Sequence, residues 1–165
     1  MSVRPCLPWP DPRLRRPARP VAEITEDIRA IWQDMIDTME ATPGVGLAAP
    51  QIGVMLCLAV VDAWAGPGRA LCLANPEVLE ASPELSEHEE ASPNLPGVSA
   101  RVSRPARVVV RFLDDRGRIV QRAFDGLAAT SVQHQIDHLQ GRMYFDRLSK
   151  VRRDMLLRKA RKGTA

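Results

Sequence analysis

Residues 133–138 read Gln133-His134-Gln135-Ile136-Asp137-His138. In a helix, side chains four residues apart share a face, so His134 and His138 stand one turn apart on the same side. That is how a helix offers two imidazole nitrogens to one metal ion. In the metalloprotease form of this pattern a Glu follows the first His and acts as general base; Gln135 stands there instead. Read alone, the pair is either half of a metal site or two buried, hydrogen-bonded helix histidines.

The flanking residues extend the helix. Asp125-Gly126 opens it, Leu127, Ala128, Val132, Ile136 and Leu139 give it an apolar side, and Gly141 stops it. Upstream, Val102 to Leu113 reads as a strand. Asp114-Asp115-Arg116-Gly117 is a hairpin turn, and Arg118 to Phe124 is the returning strand. Ala91 to Gly97 is a Pro-rich turn, and the acidic stretch 82–90 reads as a solvated loop. Two short strands, 70–73 and 77–80, are split by Asn75-Pro76. A Gly/Pro-rich turn after Asp62 precedes them, and an apolar strand at 54–61 precedes that turn. Residues 44–53 form a Gly/Ala-rich loop whose small side chains permit a close backbone approach. In it Gln51 either donates a neutral hydrogen bond to something outside or closes the loop on its own backbone.

A first helix carries Ile24, Ile28, Ile31, Met35 and Met39 at spacings of three and four, with Trp32 and Ile36 beside them. Thr25 is its N-cap, and Pro43-Gly44 ends it. This stripe predicts core packing. The first twenty residues read as an extended, Pro-rich surface segment, and 152–160 as a basic helix within a basic segment over 150–165. The pattern predicts one α+β domain over 1–165, with antiparallel β-sheet packed around the central histidine helix.

Composition narrows the function classes. Hydrophobic content of 45% and charged content of 26% are those of an ordinary globular protein. A net charge of +3 does not by itself call for nucleic acid, so no DNA partner is expected. The longest apolar run, 54–61, is far short of the roughly 20 residues of a membrane helix, so no membrane partner is expected either. Cys6, Cys57 and Cys72 have no framework spacing and fit a reducing compartment. With no signal-peptide core at the N-terminus, a cytoplasmic protein is expected.

Gly44-Val45-Gly46-Leu47-Ala48-Ala49-Pro50-Gln51 resembles the first signature of the peptide deformylases, and 133–138 resembles their third apart from Gln135. Pro10 to Arg15, Asp34 to Met39, Asn75-Pro76, Arg104-Pro105 and Asp146 to Ser149 also resemble family segments, so the likeness covers nearly the whole chain. The resemblance implies a peptide deformylase fold with a C-terminal helix. It implies removal of the formyl group from N-terminal methionine, with a divalent metal, zinc or iron, activating water. It assigns the metal to His134, His138 and a Cys of the second motif, the oxyanion to Gln51 and a backbone N–H, and the substrate loop to Gly44, Val45, Gly46 and Leu47. Formyl-Met peptides or nascent chains are the implied ligands. The basic residues from Lys150 to Lys162 read first as a solvated helix face, to which the resemblance adds a ribosome contact.

The second motif departs from the family. Aligned on Pro96-Gly97, the chain reads Glu90-Ala91-Ser92-Pro93-Asn94-Leu95. Ser92 takes the place of the Cys ligand, and a neutral hydroxyl is a poorer ligand than a thiolate. Pro93 takes the place of the oxyanion N–H donor and has no N–H; one such donor is commonly worth about 10²–10³ in rate. Gln135 takes the place of the catalytic Glu and cannot carry a proton as a carboxylate does. Asp137 and Glu90 are candidate outer partners of the ligands, Asp137 having a capping role as its alternative. Two expectations follow. In the first, the fold is kept, the metal is held weakly or not at all, deformylation is lost or strongly impaired, and binding or interaction remains. In the alternative, an active metal-dependent hydrolase coordinates its metal through His134, His138 and Ser92.

Overall fold

The Thr25 hydroxyl accepts from the Ile28 N–H and starts α1, Glu26–Ala41, as its sequence predicts. In the computed structural model, which describes residues 2–64 and 69–163, α1 lays Ile28, Trp32, Met35 and Met39 against the sheet. The strands are β1 (Gly46–Ala48), β2 (Leu58–Val61), β3 (Leu71–Ala81), β4 (Leu85–Ser92), β5 (Leu95–Pro105), β6 (Arg107–Leu113) and β7 (Ile119–Asp125). They form an antiparallel five-stranded sheet in the order β1-β2-β3-β6-β7 and an antiparallel two-stranded sheet, β4-β5. Helix α2, Gly126–Leu139, packs on β1, β2, β6 and β7 and also touches β4 and β5. It therefore lies where the two sheets meet. Helix α3, Lys150–Gly163, closes the far side of β5 with Leu156 and Ala160. None of the helices among the described residues is long and apolar enough to cross a membrane.

Several boundaries differ from the sequence reading. The acidic stretch 82–90 is largely strand β4, not a loop, and the turn at Ala91–Gly97 is short because β5 starts at Leu95. Only Glu90 and Ser92 of β4 are buried, so the strand lacks the apolar alternation that would reveal it. The strand expected over Val102–Leu113 is two, β5 and β6, separated at Ala106. Residues 70–73 and 77–80 are one strand, β3, which passes Asn75-Pro76 through a register shift. Asn75 adopts φ 50°, and its amide closes a two-bond ring with the backbone of Val21. The Gly/Ala-rich loop contains strand β1 and a short 3-10 turn at Ala49–Ile52. The apolar run 54–61 is strand only from Leu58. The turn expected after Asp62 falls on 65–68, outside the described residues. The hairpin at 114–117 forms as predicted, with Gly117 at φ 75°. The N-terminal segment is not merely superficial: Leu14 is buried, and Leu7 and Trp9 donate their N–H groups to Gln51 O and Asn94 O, each at 2.8 Å.

Candidate active site

Helix α2 presents His134 and His138 side by side, as their spacing requires. Their Nε2 atoms are 3.2 Å apart, and both rings are buried. A tetrahedral ion with nitrogen ligands at about 2.0–2.1 Å would hold two such atoms about 3.3 Å apart, so the pair fits a shared divalent cation. The Glu90 carboxylate lies 2.8 Å from His134 Nδ1. It takes that N–H, which leaves His134 Nε2 as the unprotonated nitrogen, the acceptor of the 3.2 Å hydrogen bond with His138 Nε2. His138 Nδ1 is buried without a partner among the described residues. Burial, and then the neighbouring His134, push the His138 pKa well below the usual imidazole value, so this ring is neutral at physiological pH.

Glu90 belongs to a buried ionic chain that the sequence reading did not assemble. Arg104 donates Nε and Nη2 to Glu90 at 2.7 and 2.8 Å, and Nη1 to Asp137 at 2.9 Å. Arg147 donates to both Asp137 oxygens, at 2.7 and 2.9 Å. Burial alone would raise the Glu90 carboxyl, but hydrogen bonds from His134 and Arg104 outweigh it and hold it below its ordinary value. Burial opposes Asp137 likewise, and Arg147 and Arg104 bring it down. Asp137 thus serves neither as a helix cap nor as a direct partner of His134. It anchors Arg104, which in turn anchors Glu90. A signal for Arg104 was present: it shares the alternate-residue register of Val98 and Val102, the inward face of β5.

Gln51 sits on the 3-10 turn after β1 and is buried. Its Oε1 accepts from Ala48 N–H at 2.8 Å, so it does close its own loop. Its Nε2 donates to Asn94 Oδ1 at 2.8 Å and makes a long contact with Ser92 Oγ at 3.4 Å. Ser92 donates its hydroxyl to Asn94 Oδ1 at 3.0 Å and accepts a long contact from the Asn94 N–H at 3.3 Å. No histidine hydrogen-bonds the Ser92 hydroxyl among the described residues, which removes the activator a nucleophilic serine would need. Asn94 had no assigned role in the sequence, where it stood in a Pro-rich turn.

Gln51, Glu90, Ser92, Pro93, His134 and Gln135 share the wall of one cleft of about 680 Å³, whose other side is formed by Gly44, Val45 and Gly46. Leu47 is buried beneath it in the α1 core. Gln135 is buried, and its Oε1 has no partner among the described residues. Its Nε2 lies so close to Gly46 that a Cβ there would stand 2.5 Å away. Gln135 thus lines the cleft beside His134 and carries a buried acceptor with no partner among the described residues. Cys57 and Cys72 do not complete the site: each joins an apolar cluster, and burial raises both thiols, that of Cys72 to about 12.

Comparison with known proteins is consistent along the chain. The polypeptide deformylase family model matches residues 3–154. A peptide deformylase of Methylocella silvestris is 44% identical, the match covering 99% of this chain and 86% of that one. One of Afipia carboxidovorans is 41% identical over 99% of this chain and 96% of its own. The crystal structure of a peptide deformylase from Legionella pneumophila superposes with a TM-score of 0.92 at 39% identity, covering 99% of this chain and 96% of that chain. These relatives overturn the expectation that deformylation is lost. The two relatives just described, matched over 86% and 96% of their own lengths, carry the name peptide deformylase, and nothing among the described residues shows the activity gone. The physical reason is that the replacements at Ser92, Pro93 and Gln135 leave the frame standing. The histidine nitrogens converge, Glu90 holds His134, and Gln51 and Ser92 still face the cleft.

Proposed function

We propose, from the premise that the chain belongs to the polypeptide deformylase family, that it is an active metal-dependent amide hydrolase of deformylase type, acting on the N-formyl group of N-terminal Met peptides. His134, His138 and Ser92 hold a zinc or ferrous ion in this reading. The observation that carries it is the 3.2 Å approach of the two Nε2 atoms, with Glu90 fixing the His134 tautomer whose Nε2 carries the lone pair a metal ion would take. A divalent ion there would supply Lewis acidity and bring the pKa of water toward neutrality.

The chain's own groups divide the remaining work. Gln51 Nε2 is the donor placed to stabilise negative charge developing on the formyl oxygen, the part that Pro93 cannot play through its backbone. Gln135 lines the cleft with an amide, which forms hydrogen bonds without ionising. Gly46 lets α2 pack closely on β1 beside the cleft, where a Cβ would collide with Gln135 and Ser131.

The test is metal content and turnover of a formyl-Met peptide by the purified protein. Near-stoichiometric zinc or iron is expected, with turnover that a chelator abolishes and added metal restores. Protein that stays without turnover when loaded in turn with zinc, ferrous iron and cobalt would refute the proposal.

A further inference from the structure

We infer that Asn94 is a positioning residue that turns the Ser92 hydroxyl into a usable ligand. The inference rests on the metal-dependent reading above and adds a residue to it. A serine hydroxyl has one proton and two lone pairs. Its proton is given to Asn94 Oδ1 at 3.0 Å. Its lone pairs meet only long contacts, from Asn94 N–H at 3.3 Å and Gln51 Nε2 at 3.4 Å. Asn94 thus takes the one part of the hydroxyl that would face a cation unfavourably and leaves the oxygen underused on the wall that also bears His134.

The same Oδ1 accepts from Gln51 Nε2 at 2.8 Å, so one amide oxygen sets the direction of two cleft groups. Asn94 is itself immobilised. Its Nδ2 donates to Leu7 O at 2.6 Å and Gln51 O at 3.1 Å, its carbonyl accepts from Trp9 N–H, and its exposure is 1%. An amide with every polar atom engaged cannot rotate to offer its NH₂ to Ser92 instead, so the polarity of the Ser92 hydrogen bond is fixed by the fold.

A double-mutant cycle read by cobalt binding tests this. Co²⁺ is titrated into the metal-free wild type, Asn94→Ala, Ser92→Ala and the double variant, and the dissociation constant is followed by visible absorption. Thermal denaturation confirms that each is folded. Asn94→Ala is expected to weaken cobalt binding by about 10–100-fold when Ser92 is present and by less than about threefold when Ser92 is already Ala. Should Asn94→Ala not fold, Asn94→Ser, whose side chain is too short to place an acceptor where Oδ1 lies, carries the same comparison. Equal losses in both backgrounds would make Asn94 merely structural, and an unchanged affinity would give it no part in ligation; either result overturns the inference alone. A wild type that binds no cobalt overturns the metal-dependent reading and this inference with it.

Discussion

His134 and His138 sit on one helix face but are held differently. His134 has Glu90 behind it, whereas His138 Nδ1 has no hydrogen-bond partner among the described residues. Orienting partners of a ligand histidine commonly carry about 10–100-fold of metal affinity. Glu90→Gln keeps the shape and removes the negative charge that accepts the His134 N–H. Zinc affinity in a chelator competition is expected to fall by about that factor, with little change in helix content by circular dichroism. The histidine pair, Gln51, Ser92 and Gln135 were all legible in the sequence, because each falls within a motif. The groups that join them were harder to find. Asn94 and Arg104 act through contacts spanning 43 and 33 residues, to Gln51 and Asp137, and no local pattern records such a pairing.

At the scale of elements, the site depends on β5 and α2 being tied together through Arg104. Replacing it by Ala would leave Glu90 and Asp137 as buried carboxylates without their shared partner, at a cost of about 3–5 kcal/mol. The drop should appear as a lower urea midpoint with an unchanged m-value. β1 and α2 meet more tightly. A Cβ at Gly46 would lie 2.6 Å from Ser131 Oγ and 3.0 Å from Val60 O as well as close to Gln135. Gly46→Ala should therefore destabilise by about 1–3 kcal/mol, seen as a fall in Tm, and lower kcat/KM on a formyl-Met peptide by displacing Gln135. The elements that sequence periodicity reveals are those with an apolar face, α1 and α2, while the turn at 114–117 reveals the β6–β7 hairpin. β4 escaped because its inward residues are Glu90 and Ser92, polar groups kept for the site. β3 was split because Asn75-Pro76 looks like a terminus, yet Asn75 is held by Val21, far away in sequence.

At the scale of the whole molecule, several carboxylates sit below their ordinary values. Burial opposes this at Glu90, Asp114, Asp137 and Asp146, and hydrogen bonds, chiefly from Arg and His side chains and backbone N–H groups, overcome it. A lowered folded-state pKa means that the unfolded chain takes up protons first as pH falls. The stability these groups contribute is thus complete above about pH 5, above the carboxylates' unfolded pKa values, and is lost progressively on acidification through pH 4 and below. Urea midpoints of the metal-free protein from pH 7 to pH 3 should fall in that range; a flat profile would mean the buried chain is not ionised as described. One further consequence comes from the threads that close the cleft. Leu7 and Trp9 bond Gln51 and Asn94, while Arg147 anchors Asp137. A chain still being synthesised holds its first segment from the outset but cannot finish this arrangement until residue 147 has left the ribosomal tunnel. The cleft is therefore completed late in translation, and shorter nascent fragments should not display it.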